Sequence, residues 1–305
     1  VYAILEIYRQ LVEEQLAIPV LLGKKTEAEK FVGADYTLTM EAMMPDSKAL
    51  QMGTSHFLAQ NFSKPFEIKY LGKDEKDHHV WQTSWGVTTR MIGAVVMVHG
   101  DDRGLVLPPK IAPIQSVIVP IYYKDEDQRR VLAKAKEIVN NLREKGISAY
   151  LDDRTEYTPG WKFNEWEMKG VPTRIEIGPR DIAAAQVVVS RRDTGEKLKV
   201  KIASLPEDMA KMLESIQASL YAMAKRQLKE KIATSKSYEQ FKQTIEGKGG
   251  FVRACWCGKP ECEAKIKEDT GATIRTVPLK AEEPFADCVL CGNSAQRVVY
   301  FARAY

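Results

Sequence analysis

Gln115-Ser-Val-Ile-Val-Pro-Ile-Tyr-Tyr123, then Val131, Ala135, Ile138, Val139 and Leu142 at helical spacing, then Gly146-Ile-Ser-Ala-Tyr-Leu151, is the stretch that decides the fold. Its opening run is apolar and β-branched, as a buried strand requires. Asp125, with Gln128 three residues on, suits the cap of the following helix. Gly146 stops that helix, and Ile147 to Leu151 reads as a second strand. Further out, Pro159-Gly160 opens a short helix to Lys169, and Arg174–Ile177, Gln186–Ser190 and Leu198–Ile202 read as more strands. Strands alternating with helices predict an α/β layer domain over residues 113–203, with a largely parallel sheet of about five strands.

On the N-terminal side, Pro108-Pro-Lys-Ile-Ala-Pro113 predicts a stiff connector, because proline fixes φ and removes amide donors. Residues 1–112 alternate short apolar runs with Gly- and Pro-rich turns, a mixed or antiparallel pattern. The opening residues read as the interior of an amphipathic helix, with Leu5, Tyr8, Leu11 and Val12 on one face; the chain is therefore expected to be a fragment. On the C-terminal side, residues 204–305 begin with a long helix. Met209, Met212, Leu213, Ile216, Leu220 and Met223 make its core stripe, and Lys225, Arg226, Lys229 and Lys231 a basic, solvated end.

The 305 residues fit two or three domains. An apolar fraction of 44% and a charged fraction of 28% are those of a globular protein, and the net charge of +4 is compatible with a polyanionic partner without requiring one. No run of about 18 apolar residues marks a membrane span, and the first residues lack the features of a signal peptide. Internal repeats and low-complexity tracts are absent from the sequence.

All five cysteines lie between Cys255 and Cys291. Cys257-Gly-Lys-Pro-Glu-Cys262 and Cys288-Val-Leu-Cys291 form two short chelating loops about 25 residues apart. Two loops with two thiolates each complete a tetrahedron, the pattern of a closed structural Zn²⁺ site. Gly258 and Gly292, each just after a cysteine, allow the backbone to turn there. Cys255 is left outside the set, with replacement of Cys257 as its alternative role.

Longer motifs carry a resemblance. Lys25-Thr-Glu-Ala-Glu-Lys-Phe31, Ala49-Leu-Gln51-Met-Gly53-Thr54-Ser55-His56, Thr83-Ser84-Trp85-Gly86-Val-Thr88-Thr89-Arg90 and His99-Gly-Asp-Asp-Arg resemble the prolyl-tRNA synthetase family of the archaeal and eukaryotic type. Thr158-Pro-Gly-Trp-Lys-Phe-Asn-Glu-Trp-Glu-Met-Lys-Gly-Val-Pro and Ile177-Gly-Pro-Arg-Asp resemble that family's anticodon-binding domain, and the cysteine pattern and terminal Tyr305 its zinc domain.

The resemblance implies three domains. Residues 1–112 would be the C-terminal half of a class II catalytic domain, an antiparallel sheet with helices. Residues 113–203 would be an α/β anticodon-binding domain with a mixed five-stranded sheet. Residues 204–305 would be an α+β zinc-binding domain. It implies a proline–tRNA ligase that activates proline with ATP and Mg²⁺ and transfers it to tRNA(Pro), a homodimer of the cytoplasm. Arg90, Gln51 and Thr54 would act on ATP, with Arg90 on the γ-phosphate. Phe31, His56, Ser84, Trp85 and Gly86 would wall the proline pocket. Arg154, Lys162, Phe163, Glu165, Lys169 and Arg180 would read the anticodon, and Cys257, Cys262, Cys288 and Cys291 would hold zinc. The first two class II motifs would precede Val1, so a polypeptide beginning there is expected not to form the adenylate.

Singly, each of these residues has a plainer reading: His56 as a hydrogen-bonded structural histidine, Phe31 as core, Arg90 as half of an ion pair, and Glu165 and Arg180 as surface charge. Two rival functions are a non-catalytic RNA-binding paralogue, disfavoured by the intact Gln51, Thr54 and Arg90, and a synthetase for threonine or histidine, disfavoured by the cysteine-rich domain.

Overall fold

A computed structural model describes residues 1–305 except for the side chain of Asp125, so the cap expected from Asp125 lies outside the described residues. The chain forms two compact units, one from Val1–Glu14, Ile18–Ala94 and Lys225–Tyr305, the other from Gln15–Ala17 and Val95–Ala224.

The first unit opens with α1 (Tyr2–Gln10), which runs into a π-turn at Leu11–Gln15. Leu5 and Val12 are buried, but Leu11 is exposed, contrary to the expected apolar face. The wider π-turn rotates residues that a regular 3.6-residue period would have aligned. Then come β1 (Leu21–Lys24), β2 (Tyr36–Met43), β3 (Ala49–Ala59), the small hairpin β4 (Lys69–Leu71) and β5 (Asp77–His79), β6 (Gln82–Val87), and the first half of α2 (Arg90–His99), up to Ala94. β1, β2, β3 and β6 are antiparallel neighbours.

The second unit contains β7 (Ser116–Pro120), α3 (Asp125–Glu144), β8 (Ala149–Leu151), α4 (Pro159–Met168), β9 (Thr173–Ile177), α5 (Pro179–Ala183), β10 (Gln186–Arg191), β11 (Lys197–Lys201) and most of α6 (Leu205–Glu230). Its sheet has the order β11-β10-β9-β7-β8. The pairings β8–β7 and β7–β9 are parallel, while β9–β10 and β10–β11 are antiparallel. The sheet is thus mixed in equal parts rather than largely parallel. A parallel return needs a crossover of about a dozen residues or more, and the connections after Ile177 and Arg191 are shorter than that. Ile118, Ile175, Val187 and Val189 pack against Val131, Ala135, Ile138 and Leu142 of α3 and Leu205, Met209 and Leu213 of α6. On the other face Val117 and Val119 meet Trp166 of α4.

The chain then returns to the first unit as β12 (Ile232–Thr234), α7 (Tyr238–Glu246), β13 (Phe251–Trp256), α8 (Pro260–Thr270), β14 (Thr273–Pro278) and β15 (Arg297–Ala302). These four strands extend the N-terminal sheet into one of eight, in the order β12-β13-β15-β14-β1-β2-β3-β6. The seam pairs Gly23 with Pro278 and Lys24 with Val277. A Cβ on Gly23 would fall 1.7 Å from Thr276 Oγ1 and 2.3 Å from the Val277 carbonyl oxygen, so only glycine allows this approach.

Beside the seam, the buried Glu41 carboxylate accepts from Lys25 Nζ (2.8 Å), Thr39 Oγ1 (2.8 Å) and Arg275 Nε (3.0 Å), and Lys25 Nζ also donates to the Arg275 carbonyl (3.0 Å). Burial draws the Lys25 ammonium down from its usual range, with Glu41 opposing. Next to this cluster Thr26 Oγ1 donates to Glu263 at 2.6 Å. Removing Glu41 leaves two cations without their common counter-charge. Glu41→Ala is expected to cost about 3–5 kcal/mol of stability in chemical denaturation; a loss below about 1 kcal/mol would show the cluster to be dispensable.

Candidate functional site

The cleft of the first unit is built by a defect in strand pairing. Glu41 pairs with Gln51 and Met40 with Gly53, so Met52 is an extra residue in β3. In a regular strand, residues three apart face opposite sides. The bulge restores Gln51 to the face of Thr54 and His56, and these three are partly exposed while Met52, Gly53 and Ser55 are buried. Across the strand, Thr54 pairs with Gly86 and His56 with Ser84. A Cβ on Gly86 would meet nothing within 4 Å, so the space over Thr54 stays open.

Gln51, Thr54, His56, Ser84, Trp85, Gly86 and Arg90 line this one cleft, of about 270 Å³. Phe31 stands beside it, its ring centroid 5.0 Å from that of His56. Arg90 begins α2, and its Nη1 donates to the Gln51 carbonyl at 3.1 Å. A guanidinium with donors to spare, at the positive end of a helix, favours an anionic group of the phosphate kind. His56 is held at both nitrogens, Nδ1 at 2.9 Å from Thr37 Oγ1 and Nε2 at 3.0 Å from Thr54 Oγ1, and burial lowers its pKa. It is a neutral, oriented wall.

In the second unit, Asp152 at the end of β8 organises a polar cluster. It accepts from Arg154 (2.8 and 2.7 Å) and from Trp166 Nε1 (2.8 Å), while Lys162 Nζ donates to its carbonyl at 3.0 Å. Burial disfavours the Asp152 carboxylate, but these cationic and N–H partners outweigh it and bring the group to about 2. Lys162 is itself buried, so its ammonium supports this cluster from below the surface. Glu165 pairs with Arg154 at 2.5 Å and with Lys169 at 2.7 Å. Tyr157 and Trp161 stack at 3.8 Å with the Arg154 guanidinium 4.9 Å from the Tyr157 ring, an exposed aromatic and cationic face. Arg180 is exposed on α5.

Phe163 lies under the Arg174 guanidinium at 4.0 Å. Arg174 in turn lines a cavity of about 200 Å³ together with Arg103, Glu167, Arg191, Arg192 and Lys197. The sequence reading passed over this set. Its signal was the alternation Thr173-Arg-Ile-Glu-Ile177, which puts charge on one face of a strand whose other face is apolar.

The four cysteines Cys257, Cys262, Cys288 and Cys291 come together, their sulphurs all within 4.8 Å of one another. Cys257 follows β13, Cys262 lies in the first turn of α8, and Gly258 and Gly292 both adopt positive φ, +84° and +67°. Cys255 lies within β13, buried and outside the cluster. A tetrahedron with Zn–S bonds of about 2.3 Å has edges of about 3.8 Å; Cys257 is 3.6 Å from Cys262 and 3.8 Å from Cys291. Burial raises the Cys262 and Cys257 thiols, whereas the Asn293 amide brings Cys291 down to about 7. Gathering buried thiolates needs a compensating cation, and the donor set fits Zn²⁺. Purified protein is expected to hold about one equivalent of tightly bound zinc, and Cys262→Ser to lose it together with the melting transition of the cysteine-rich segment. Less than about half an equivalent in the unaltered protein would reject the metal.

The family model described as "Prolyl-tRNA synthetase, C-terminal" matches residues 238–305, and that described as "Anticodon binding domain" matches residues 115–212. A protein named Proline–tRNA ligase from Cenarchaeum symbiosum (strain A) is 53% identical over 305 residues, covering 100% of this chain and 63% of its own length. Proteins of the same name from Natranaerobius thermophilus and Chloroherpeton thalassium are 50% and 49% identical, covering 99% and 100% of this chain and 62% and 64% of their own lengths. The chain thus spans somewhat under two thirds of the curated relatives it matches. Over its whole length it is similar to proteins named proline–tRNA ligase.

Proposed function

We propose that this chain is the larger part of a proline–tRNA ligase, in which the cleft between β3 and β6 activates proline with ATP. The observation that carries the reading is the convergence of Gln51, Thr54, His56, Ser84, Trp85, Gly86 and Arg90 on one cleft, from segments separated along the chain. Phe31, His56 and Trp85 supply a rigid, largely apolar slot for a small cyclic amino acid. Gln51 and Thr54 contribute polar contacts to the nucleotide, and Arg90 binds the terminal phosphate and balances charge as pyrophosphate leaves. Mg²⁺ offsets further phosphate charge. The proline carboxylate attacks the α-phosphate in line, a reaction governed by positioning and electrostatics, which agrees with a neutral, doubly bonded His56 that offers no general base.

The finer assignments belong to the same proposal. Residues 1–112 are the C-terminal half of a class II catalytic domain, residues 113–203 the anticodon-binding domain and residues 204–305 the zinc-binding domain. The protein is of the archaeal and eukaryotic type, begins upstream of Val1, and works as a homodimer in the cytoplasm. Cys257, Cys262, Cys288 and Cys291 hold a structural Zn²⁺. In reading tRNA(Pro), Arg154 with Tyr157 and Trp161 offers a stacking face for a splayed base, and Phe163 borders the cationic cavity. Arg180 and Lys169 meet bases or phosphates. Glu165 orients Arg154 and Lys169, while Lys162 holds the loop from beneath.

The full-length protein is expected to catalyse ATP–pyrophosphate exchange with proline and not with threonine, and Arg90→Ala to lower that exchange by about 100-fold or more. Exchange with threonine equal to that with proline would reject the assignment. Trp161→Ala and Arg180→Ala are each expected to raise KM for tRNA(Pro) about tenfold while leaving proline-dependent exchange unchanged. Parallel loss of both activities would remove these residues from tRNA recognition.

A further inference from the structure

Thr37 is the second residue of β2, directly across from His56 of β3, and is almost fully buried. Its Oγ1 accepts from the Phe31 backbone N–H at 3.2 Å and lies 2.9 Å from His56 Nδ1. The opposite ring nitrogen, Nε2, lies 3.0 Å from Thr54 Oγ1.

A hydroxyl has one hydrogen to give, and a neutral imidazole has one N–H and one acceptor nitrogen. Were the imidazole hydrogen on Nδ1, Thr37 would accept twice, and its own buried hydrogen would find no partner among the described residues. Leaving a buried donor unmade is the costly outcome. The Thr37 hydrogen therefore goes to Nδ1, and the imidazole hydrogen sits on Nε2 and is donated to Thr54. The Thr54 oxygen is then an acceptor on its strand side, and its own hydrogen is left to donate into the cleft.

We propose that Thr37 is a positioning residue of the amino-acid pocket: one buried hydroxyl fixes the tautomer and ring plane of His56 and anchors the backbone of Phe31, so that two walls of the pocket are set together. The proposal rests on the reading of this cleft as a proline site. Thr37 itself does not line the cleft, so it acts through His56, Phe31 and Thr54.

Nitrogen-15 NMR of histidine-labelled full-length protein, with His56→Gln to assign the resonance, reads the tautomer directly. In the unaltered protein Nδ1 is expected to show the shift of an unprotonated nitrogen and Nε2 that of a protonated one. Thr37→Val, which keeps the shape and removes the hydroxyl, should give a mixed tautomer. It should also raise KM for proline about tenfold, the worth of one buried hydrogen bond, with kcat within about twofold. Thr37→Ser should restore both. A protonated Nδ1 in the unaltered protein overturns the proposal, as does a folded Thr37→Val with unchanged tautomer and KM. Should Thr37→Val fail to fold, the unaltered protein and Thr37→Ser still decide: unprotonated Nδ1 and a normal KM in both support it, and serine without rescue overturns it. The assigned tautomer in a protein that does not activate proline overturns the functional reading and leaves the hydroxyl network standing.

Discussion

The first unit depends on a buried carboxylate. Glu41 is shared by Lys25 and Arg275, residues that are 250 positions apart, and each of the three side chains is desolvated. A buried ion pair is a weak source of net stability, because desolvation consumes most of the Coulombic gain. It is a strong source of specificity, since any other pairing of β1 would strand a charge in the interior. Gly23 sets the same seam sterically and Glu41 sets it electrostatically, and together they allow one register between β1 and β14.

That seam lies one strand away from the cleft. β2 pairs with β1 on one side and with β3 on the other, so the strand that carries Glu41 and Thr39 also carries Thr37. The bulge at Met52 sits opposite Met40 and Glu41. The extra residue that turns Gln51 toward the cleft therefore lies against the buried charge cluster, where the surrounding packing holds an irregular backbone in place. The cysteine cluster plays the corresponding part at the other end of the same sheet. It ties the turn after β13, the first turn of α8 and the loop before β15.

Local pattern carried much of this. The helix over 125–144 and its core face, the Thr158-Pro-Gly helix start, the strands around it and the grouping of four cysteines all follow from periodicity and spacing, because each is set by neighbours a few residues away. The π-turn that exposes Leu11 was not legible, since no residue type marks the extra residue per turn. Nor was the burial of Lys162, whose partner Asp152 reaches it only after β8 and α4 have packed together. The cavity around Arg174 escaped notice for a similar reason: its cations come from different strands and helices, and none forms a motif alone.

By itself the sequence determined the composition of the parts: an alternating α/β region, a four-thiolate chelating set, and motif residues whose chemistry suits a nucleotide and a small amino acid. Tertiary structure alone decided which parts meet. That β14 lies against β1, that a bulge swings Gln51 to the side of His56, and that one threonine hydroxyl reaches both His56 and Phe31 are contacts between distant segments. Such contacts are fixed by packing, close backbone approach and the cost of an unpaired buried charge, none of which is a property of a single stretch of chain.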